Sequence, residues 1–264
     1  MWTMGFLLPH APILIPEVAA RSGAQTGKTL EALISLGESL KRFAPDLLLV
    51  LDPHAASERI LTFVNADRFI GDLGEFGARS VSLSFRGAGE EGDRLFSYLH
   101  PHFPTKYYRP GVHDLDYAAV VSLHLLLPLL GVVPSMVLVN PVTIGFRQAF
   151  ELGRLLRGYP SEKKWGLLAS GDLSHRLTKS APSGFHPDGQ VLYRSIVEAL
   201  RASSPDPIFN LPGTVIQNAG ECGLRSVLAL IGLSMGEKIR FLSYEAPFGV
   251  GYASALLECS EEVS

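Results

Sequence analysis

The chain of 264 residues has only two cysteines, Cys222 and Cys259. They lie too far apart to form a C-x-x-C pair, and two residues cannot supply a disulfide framework. The cysteine content therefore excludes a small disulfide-stabilised fold and fits a protein of the reducing cytoplasm. Each cysteine is then expected to pack as a small buried hydrophobic residue.

Long basic runs are also missing. No basic run is longer than two residues, as in Lys163-Lys164, and the formal net charge is -3. A nucleic-acid-binding surface needs a cluster or stripe of Lys and Arg, so no nucleic-acid partner is expected. The one G-x-S-x-G pattern, Gly232–Gly236, lies at the end of a predicted helix. A nucleophile elbow lies at a strand-to-helix turn, so a serine hydrolase is not expected.

The apolar stretches are too interrupted to serve as targeting or membrane segments. The N-terminal stretch lacks a basic region and contains Pro9, His10 and Pro12, so it does not read as a signal peptide. The stretch LHLLLPLLGVVPSMVLV is broken by Pro128 and Pro134. It predicts a buried helix, a turn and a buried strand rather than a membrane span.

What remains is an ordinary globular composition, with 47% hydrophobic and 19% charged residues. One domain over residues 1–264 is expected. Short apolar runs alternate with longer helical patterns, which predicts an α/β fold with a central mixed or largely parallel sheet and helices on both faces. The predicted strands are Gly5–Leu8, Leu47–Leu51, Ser80–Leu83, Ser135–Val139, Trp165–Ser170, Ile239–Tyr244 and Gly251–Leu257. The predicted helices are Gly27–Phe43, Gly89–Tyr98, Ala118–Leu130, Phe146–Leu156, Asp188–Ala202 and Gly220–Met235.

Three of the predicted strands are each followed within a few residues by a histidine: His10, His54 and His175. In open α/β sheets, ligands bind in the crevice beyond the carboxyl ends of the strands. Neutral imidazole is the commonest protein metal ligand. The spacing therefore predicts a metal site at that edge, with the alternative that each histidine is hydrogen-bonded in a turn.

A third metal ligand is predicted at Glu221 in the segment NAGECGLRSVL, where glycines flank the carboxylate. Two histidines and one carboxylate form the facial triad of non-haem Fe(II) oxygenases. The alternative for Glu221 is a structural role at the start of the following helix, where the helix dipole favours an acid.

Seven segments in order resemble one protein family: LLPHAPILIPEV, DPHA, HDLDYAAVVSL, ASGDLSHRL, GFHPDG, NAGECGLRSV and YEAPFGVGY. The chain resembles the class III extradiol ring-cleavage dioxygenases, the superfamily of the protocatechuate 4,5-dioxygenase β subunit. Within it, the resemblance is closest to the AmmeMemoRadiSam system protein B branch and the related Memo proteins.

The resemblance implies a role for five residues. His10, His54 and Glu221 match the metal ligands, and His175 matches the acid/base histidine beside the metal. His113 matches a substrate-pocket histidine more loosely, because the family often has Asp-His-Gly where this chain has Val-His-Asp. A cysteine lies near the position of Cys222 in Memo-type relatives, so the resemblance implies a contact between the thiol and the metal as the lesser alternative. His186, in GFHPDG, is assigned to a lid or a surface loop.

The function implied is a non-haem Fe(II)-dependent extradiol-type dioxygenase that cleaves a catecholic or related aromatic substrate with O2. Fe(II) is the expected metal, and Zn or another divalent ion is the alternative. The competing hypothesis is a Memo-like metal-binding protein that acts with radical-SAM or AMMECR-type partners without ring cleavage. No membrane partner is expected, and the apolar segment YEAPFGVGY is compatible with a homodimer.

Overall fold

The computed structural model describes residues 1–22, 27–36, 40–41, 43–55 and 60–260. Its strands, in chain order, are β1 (Trp2–Leu8), β2 (Leu47–Leu51), β3 (Leu61–Val64), β4 (Arg68–Leu73), β5 (Ala78–Arg86), β6 (Thr105–Tyr108), β7 (Val112–Asp114), β8 (Ser135–Asn140), β9 (Trp165–Ser170), β10 (Arg240–Glu245) and β11 (Tyr252–Glu258). Its helices are α1 (Pro16–Ser22), α2 (Lys28–Leu36), α3 (Glu90–Leu99), α4 (Tyr117–Leu130), α5 (Phe146–Arg157), α6 (Pro187–Ala202), α7 (Asp206–Phe209), α8 (Gly213–Ala219) and α9 (Leu224–Ser234).

The main sheet has eight strands in the order β10-β11-β1-β9-β2-β8-β3-β6. The four central strands β1, β9, β2 and β8 are parallel to one another, whereas β11 and β3 run antiparallel to their central neighbours. A separate three-stranded sheet has the order β5-β4-β7. The predicted α/β fold with a mixed, largely parallel sheet is therefore confirmed.

Both faces of the main sheet are covered, and its four central strands are buried at nearly every position. Leu49 and Leu51 of β2 pack into a core with α5, α6 and α9. Leu48 and Val50 of the same strand pack on the opposite face, against α4 and the three-stranded sheet. Strands that are buried on both faces typically have continuous apolar sequences. No helix in the described ranges is long and apolar enough to cross a membrane.

Helix α9 lies unusually close to α5. A Cβ atom added to Gly153 of α5 would lie 2.0 Å from the carbonyl oxygen of Ala229, and one added to Gly232 of α9 would lie 2.0 Å from that of Phe150. Only glycine allows the two backbones this approach. The contact fixes the position of α9 and of the turn that precedes it, which carries Glu221 and Cys222.

The predicted elements differ from the observed ones mainly where glycines break a pattern. The predicted helix Gly220–Met235 begins only at Leu224, because Gly220 has a φ of 59° and ends the separate helix α8. The predicted strand Ser80–Leu83 belongs to β5 in the three-stranded sheet, not to the main sheet. Of the predicted helix Gly27–Phe43, the structure contains Lys28–Leu36, and residues 37–39 and 42 lie outside the described ranges.

Candidate metal centre

The register of the central strands brings three predicted site residues to one edge of the sheet. Leu8 of β1 pairs with Ser170 of β9, and Leu51 of β2 pairs with Ala169. The strands are parallel, so the segments that carry His10, His54 and His175 leave the sheet at the same carboxyl edge. The prediction that these three segments leave the sheet at one edge is confirmed.

His10 is held rigidly by its surroundings. Its side chain is 2% exposed, its backbone N–H donates to Asp172 Oδ1 at 3.0 Å, and its Nδ1 lies 3.0 Å from Ser170 Oγ. Ser170 Oγ is in turn 2.8 Å from Ser122 Oγ. Because Nδ1 is engaged in this way, Nε2 is the nitrogen that points towards the other site residues. Burial, reinforced by His54 and His175, holds the pKa of His10 well below its usual value, so the ring is neutral near pH 7.

His54 lies at the open side of the site. Its backbone N–H donates to Asp52 Oδ1 at 2.9 Å, an Asx turn that sets the direction of the chain after β2. The His54 ring is 4.7 Å from the His10 ring, nearly perpendicular to it, and 5.4 Å from the Tyr117 ring. The side chain is exposed. It is therefore the histidine nearest to an incoming ligand.

The thiol of Cys222 completes the cluster. Its Sγ lies 3.4 Å from His10 Nε2 and 3.6 Å from the carbonyl oxygen of Asp172. One donor atom from each of His10, His54 and Cys222 lies within 4.8 Å of the other two, and this is a group that could hold a metal ion. Burial raises the pKa of the Cys222 thiol well above its usual value, so a bound cation would be needed to generate the thiolate.

Two glycines bring Cys222 to the histidines. A Cβ atom on Gly171 would lie 2.2 Å from the Gly223 Cα atom, and Gly223 N–H donates to the Asp172 carbonyl at 2.9 Å. The segment after β9 and the turn before α9 are therefore in backbone contact. The sequence motifs GDLSH and GECG supply this contact, which spacing alone does not reveal.

Glu221 is placed differently from its neighbour. Its Oε2 accepts a hydrogen bond from Leu224 N–H at 2.6 Å, and its Oε1 lies 3.9 Å from an Arg225 guanidinium nitrogen. The carboxylate thus serves the start of α9, the structural alternative considered above. Glu221 is not in the donor group that the described residues bring together. Ligation by Glu221 stays a prediction, and it would require the carboxylate to leave Leu224.

His175 lies beside the cluster. Its Nε2 is 3.9 Å from Cys222 Sγ and 4.0 Å from Asp172 Oδ2, and its backbone N–H donates to the Gly220 carbonyl at 3.0 Å. The ring is 27% exposed, so a ligand can reach it. Burial lowers the pKa of His175, with a further contribution from His54. This position is the one that the resemblance implies for an acid/base histidine.

Two other predicted residues lie elsewhere. His113 is on β7 of the three-stranded sheet, where its ring packs 5.8 Å from Phe69. Among the ring contacts and hydrogen bonds of the described chain, none joins His113 to His10, His54 or Cys222. His186 is the N-cap of α6 and accepts a hydrogen bond from Asp188 N–H through Nδ1 at 3.2 Å. The histidine at this position therefore stabilises a helix start.

Sequence reasoning did not single out two buried carboxyl groups at this edge. Burial raises the pKa of both Asp52 and Asp172 to about 7, and Asp52 Oδ2 has no hydrogen-bond partner among the described residues. Both lie inside the quoted motifs, two residues before His54 and three before His175. Their closeness in sequence to these two histidines is the feature by which the sequence could have pointed to the two carboxyl groups. The ring of Tyr117 lies 6.4 Å from the His10 ring and 5.4 Å from the His54 ring, and only its position within the motif HDLDYAAV pointed to it.

The donor chemistry fits a metal ion. A tetrahedral ion bound to one imidazole nitrogen and one thiolate sulfur places the two donor atoms about 3.5 Å apart, and the observed distance between His10 Nε2 and Cys222 Sγ is 3.4 Å. The hydrogen bond from the other ring nitrogen of His10 to Ser170 is the kind of outer contact that orients metal-bound histidines. Two imidazoles and a thiolate suit Fe, Zn or Cu better than Mg or Ca.

Fold and site together define an α/β protein with a candidate mononuclear metal centre at the carboxyl edge of its sheet. A family model described as the catalytic LigB subunit of aromatic ring-opening dioxygenase matches residues 4–254. The chain belongs to the LigB family.

Two comparisons with individual proteins extend this result. The chain is 27% identical over 267 aligned positions to Protein CA_C1420 of Clostridium acetobutylicum; the match covers 96% of this chain and 57% of that protein. The chain therefore spans little more than half the length of this relative. It also resembles the crystal structure of protein JW3007 of Escherichia coli K12, with a TM-score of 0.68 and 16% identity over 97% of this chain and 99% of that one. At this identity the likeness shows the fold alone.

Proposed function

We propose that this protein is a metal-dependent oxidoreductase of the extradiol type, acting on a small catecholic or related aromatic compound with O2. The observation that carries the proposal is the convergence of His10, His54 and Cys222 at one sheet edge, with His175 beside them. A metal bound through only three protein ligands keeps coordination positions open for a substrate and a small gas molecule.

His10 and His54 would hold the metal through imidazole nitrogens, and Cys222 would hold it through sulfur. Fe(II) is the proposed ion, with Zn or another divalent metal as the alternative. When bound, such an ion supplies Lewis acidity, and Fe(II) in addition supplies electron transfer between an aromatic diol and O2. The rigid His10, fixed through Ser170 and Asp172, provides the preorganised part of the site.

His175 is the proposed proton carrier. Because its pKa is lowered, the imidazole is neutral near pH 7 and can accept the proton of a substrate hydroxyl. With a pKa of about 7, the Asp172 carboxyl is partly ionised near pH 7. Its ionised form, 4.0 Å from His175 Nε2, stabilises the resulting imidazolium. A positioned base of this type contributes about 10²–10⁴-fold to a rate.

Tyr117 is the proposed wall of the substrate pocket. Its ring lies 5.4 Å from the His54 ring and 5.2 Å from the Phe76 ring. Aromatic pairs at such distances favour offset or edge-to-face contacts, which a planar substrate ring can join. Burial raises the pKa of Tyr117 to about 12, so its hydroxyl stays protonated and can donate a hydrogen bond.

A second function is favoured by one observation, that the donor atom lying close to the two histidines is the Cys222 thiol rather than a carboxylate. A His₂Cys site also suits a protein that binds a metal without cleaving a ring. On this second proposal the protein is Memo-like and acts with radical-SAM or AMMECR-type partner proteins. A cytoplasmic location and a homodimer are compatible with both proposals.

Oxygen uptake distinguishes the two functions. Protein loaded anaerobically with Fe(II) is mixed with a panel of catechols, and O2 consumption and ring-cleavage products are measured. The dioxygenase proposal predicts uptake that depends on a catechol and falls about 10²–10⁴-fold in His175→Ala, with metal content unchanged. A metal-loaded protein that consumes no O2 with any catechol would contradict this proposal and favour the second function.

A further inference from the structure

A cleft lies at the edge of the main sheet opposite to the candidate metal centre. It has a volume of about 900 Å³ and opens where the three-stranded sheet meets the start of β8. Its lining includes Arg68 at the start of β4, Arg86 at the end of β5, and Val133 to Ser135. Because Ser135 pairs with Leu47 at the start of β2, the cleft lies at the amino edge of the parallel strands. Its volume is within the range of small-molecule sites.

The two arginines form an unfavourable pair in the absence of a ligand. Arg68 and Arg86 are directly opposite one another on the antiparallel strands β4 and β5, and both are exposed. Side chains in this relation leave the same face of a sheet, with Cβ atoms about 5 Å apart, and like charges there are destabilising. A negative charge placed between the two guanidinium groups would offset this repulsion.

The described chain does not supply that charge. The Arg68 guanidinium donates only to the neutral Ser84 hydroxyl, at 2.9 Å. Arg86 forms no side-chain hydrogen bond or ion pair with any residue that the structure describes. Asp67 also lines the cleft, but its carboxylate is not paired with either arginine within the described ranges. Two guanidinium groups therefore face one cleft with most of their donors unused.

The cleft is held in shape by backbone hydrogen bonds. Gly87 N–H donates to the Asp67 carbonyl at 3.0 Å, and Ala88 N–H donates to the Met136 carbonyl at 3.0 Å. A Cβ atom on Gly87 would lie 1.7 Å from the Ala66 carbonyl oxygen, so only glycine allows β5 to reach the main sheet here. These contacts fix the strand ends that carry Arg68 and Arg86.

We propose that the cleft binds a small organic molecule through an oxyanion group, a phosphoryl or a carboxylate, that bridges Arg68 and Arg86. Guanidinium groups pair with such oxyanions through two parallel hydrogen bonds. The Ser84 hydroxyl is positioned to donate a further hydrogen bond. The exposed Val133 and the buried Pro134 beside it offer an apolar wall for the rest of the molecule. This site is separate from the metal centre and does not depend on the proposed function.

Isothermal titration of the metal-free protein tests the proposal, with inorganic pyrophosphate as the phosphoryl probe and citrate as the carboxylate probe. One probe should bind saturably, with one equivalent per chain. Arg68→Gln and Arg86→Gln should each raise its Kd about tenfold or more, because each removes a charged hydrogen-bond partner. Arg79→Gln is the matched control, an exposed arginine on β5 outside the cleft, and should leave the Kd unchanged.

Two further measurements test whether the probe binds in the cleft: the melting temperature of Arg86→Gln and probe binding by His10→Ala. Arg86→Gln should raise the melting temperature without a probe, since it removes the like-charge contact, and should abolish the increase that the probe produces in the parent protein. His10→Ala, at the opposite edge, should bind the probe normally. The proposal is overturned if neither probe binds saturably in the millimolar range, if Arg79→Gln weakens binding as much as the cleft variants, or if His10→Ala abolishes it.

Discussion

Asp172 connects several parts of the candidate metal centre, and replacing it with asparagine has a calculable effect on stability. Its Oδ1 accepts the His10 N–H at 3.0 Å, and its Oδ2 lies 3.9 Å from His10 Nε2 and 4.0 Å from His175 Nε2. Asparagine keeps an oxygen at the first position and removes the ionisable group. The variant Asp172→Asn therefore isolates the effect of the charge.

The sign of the effect follows from the raised pKa. Burial raises the pKa of Asp172 from 3.8 to about 7, whereas the unfolded chain ionises near pH ~3.9. The stabilisation from the protonated carboxyl is fully present below pH ~4 and is lost as pH rises to ~7, at up to ~1.4 kcal/mol for each pH unit. Between pH 5 and pH 8 the parent should lose up to about 3 kcal/mol that the variant does not lose.

Urea unfolding of both metal-free proteins at several pH values from 5 to 8 provides the measurement. The lowered pKa values of His10 and His175 act in the opposite direction, but they are present in both proteins and largely cancel in the difference. Glu198→Gln, at an exposed position of α6, is the control and should follow the parent. Parallel stability profiles for the parent and Asp172→Asn would refute the reasoning, since they would mean that the buried carboxyl does not change its protonation on folding.

Three further variants test separate parts of the site. Glu221→Ala should lower the free energy of unfolding by about 1 kcal/mol through loss of the hydrogen bond to Leu224, while metal content measured by mass spectrometry stays at the parent value. Ser170→Ala removes the hydrogen bond that orients His10 and should weaken metal affinity about 10–100-fold in a competitive chelator titration; an unchanged affinity would show that the serine is dispensable. His175→Ala should retain the metal, and loss of the metal in this variant would instead identify His175 as a ligand.

The predicted fold was most accurate where strands are buried on both faces. The predicted strands Leu47–Leu51 and Trp165–Ser170 coincide with β2 and β9. Continuous apolar runs of this length are typical of strands that are buried on both faces of a sheet. The short strands β3 and β6 were not predicted. Their positions depend on pairing with β8 and with each other, and such pairing is a property of the assembled sheet.

The candidate site was predictable in outline, and its third ligand, Glu221 or Cys222, stays a prediction. Strand ends placed His10, His54 and His175 together, since parallel strands share one carboxyl edge. The choice between Glu221 and Cys222 depends on the turn before α9. There the backbone contact between Gly171 and Gly223 places the sulfur near His10, and the Glu221 carboxylate is used at the helix start. Adjacent residues in a turn point in different directions, and spacing alone does not select one.

Metal titration tests the central claim, that His10, His54 and Cys222 form a metal centre. Metal-free protein is titrated anaerobically with Co(II), a spectroscopic substitute for Fe(II) or Zn, and the thiolate-to-metal charge-transfer band is followed together with stoichiometry. The account predicts one equivalent bound with this band in the parent and in Glu221→Gln, and loss of binding in His10→Ala and Cys222→Ser. A parent that binds no metal would contradict the account, as would binding without a thiolate band that survives Cys222→Ser and is lost in Glu221→Gln.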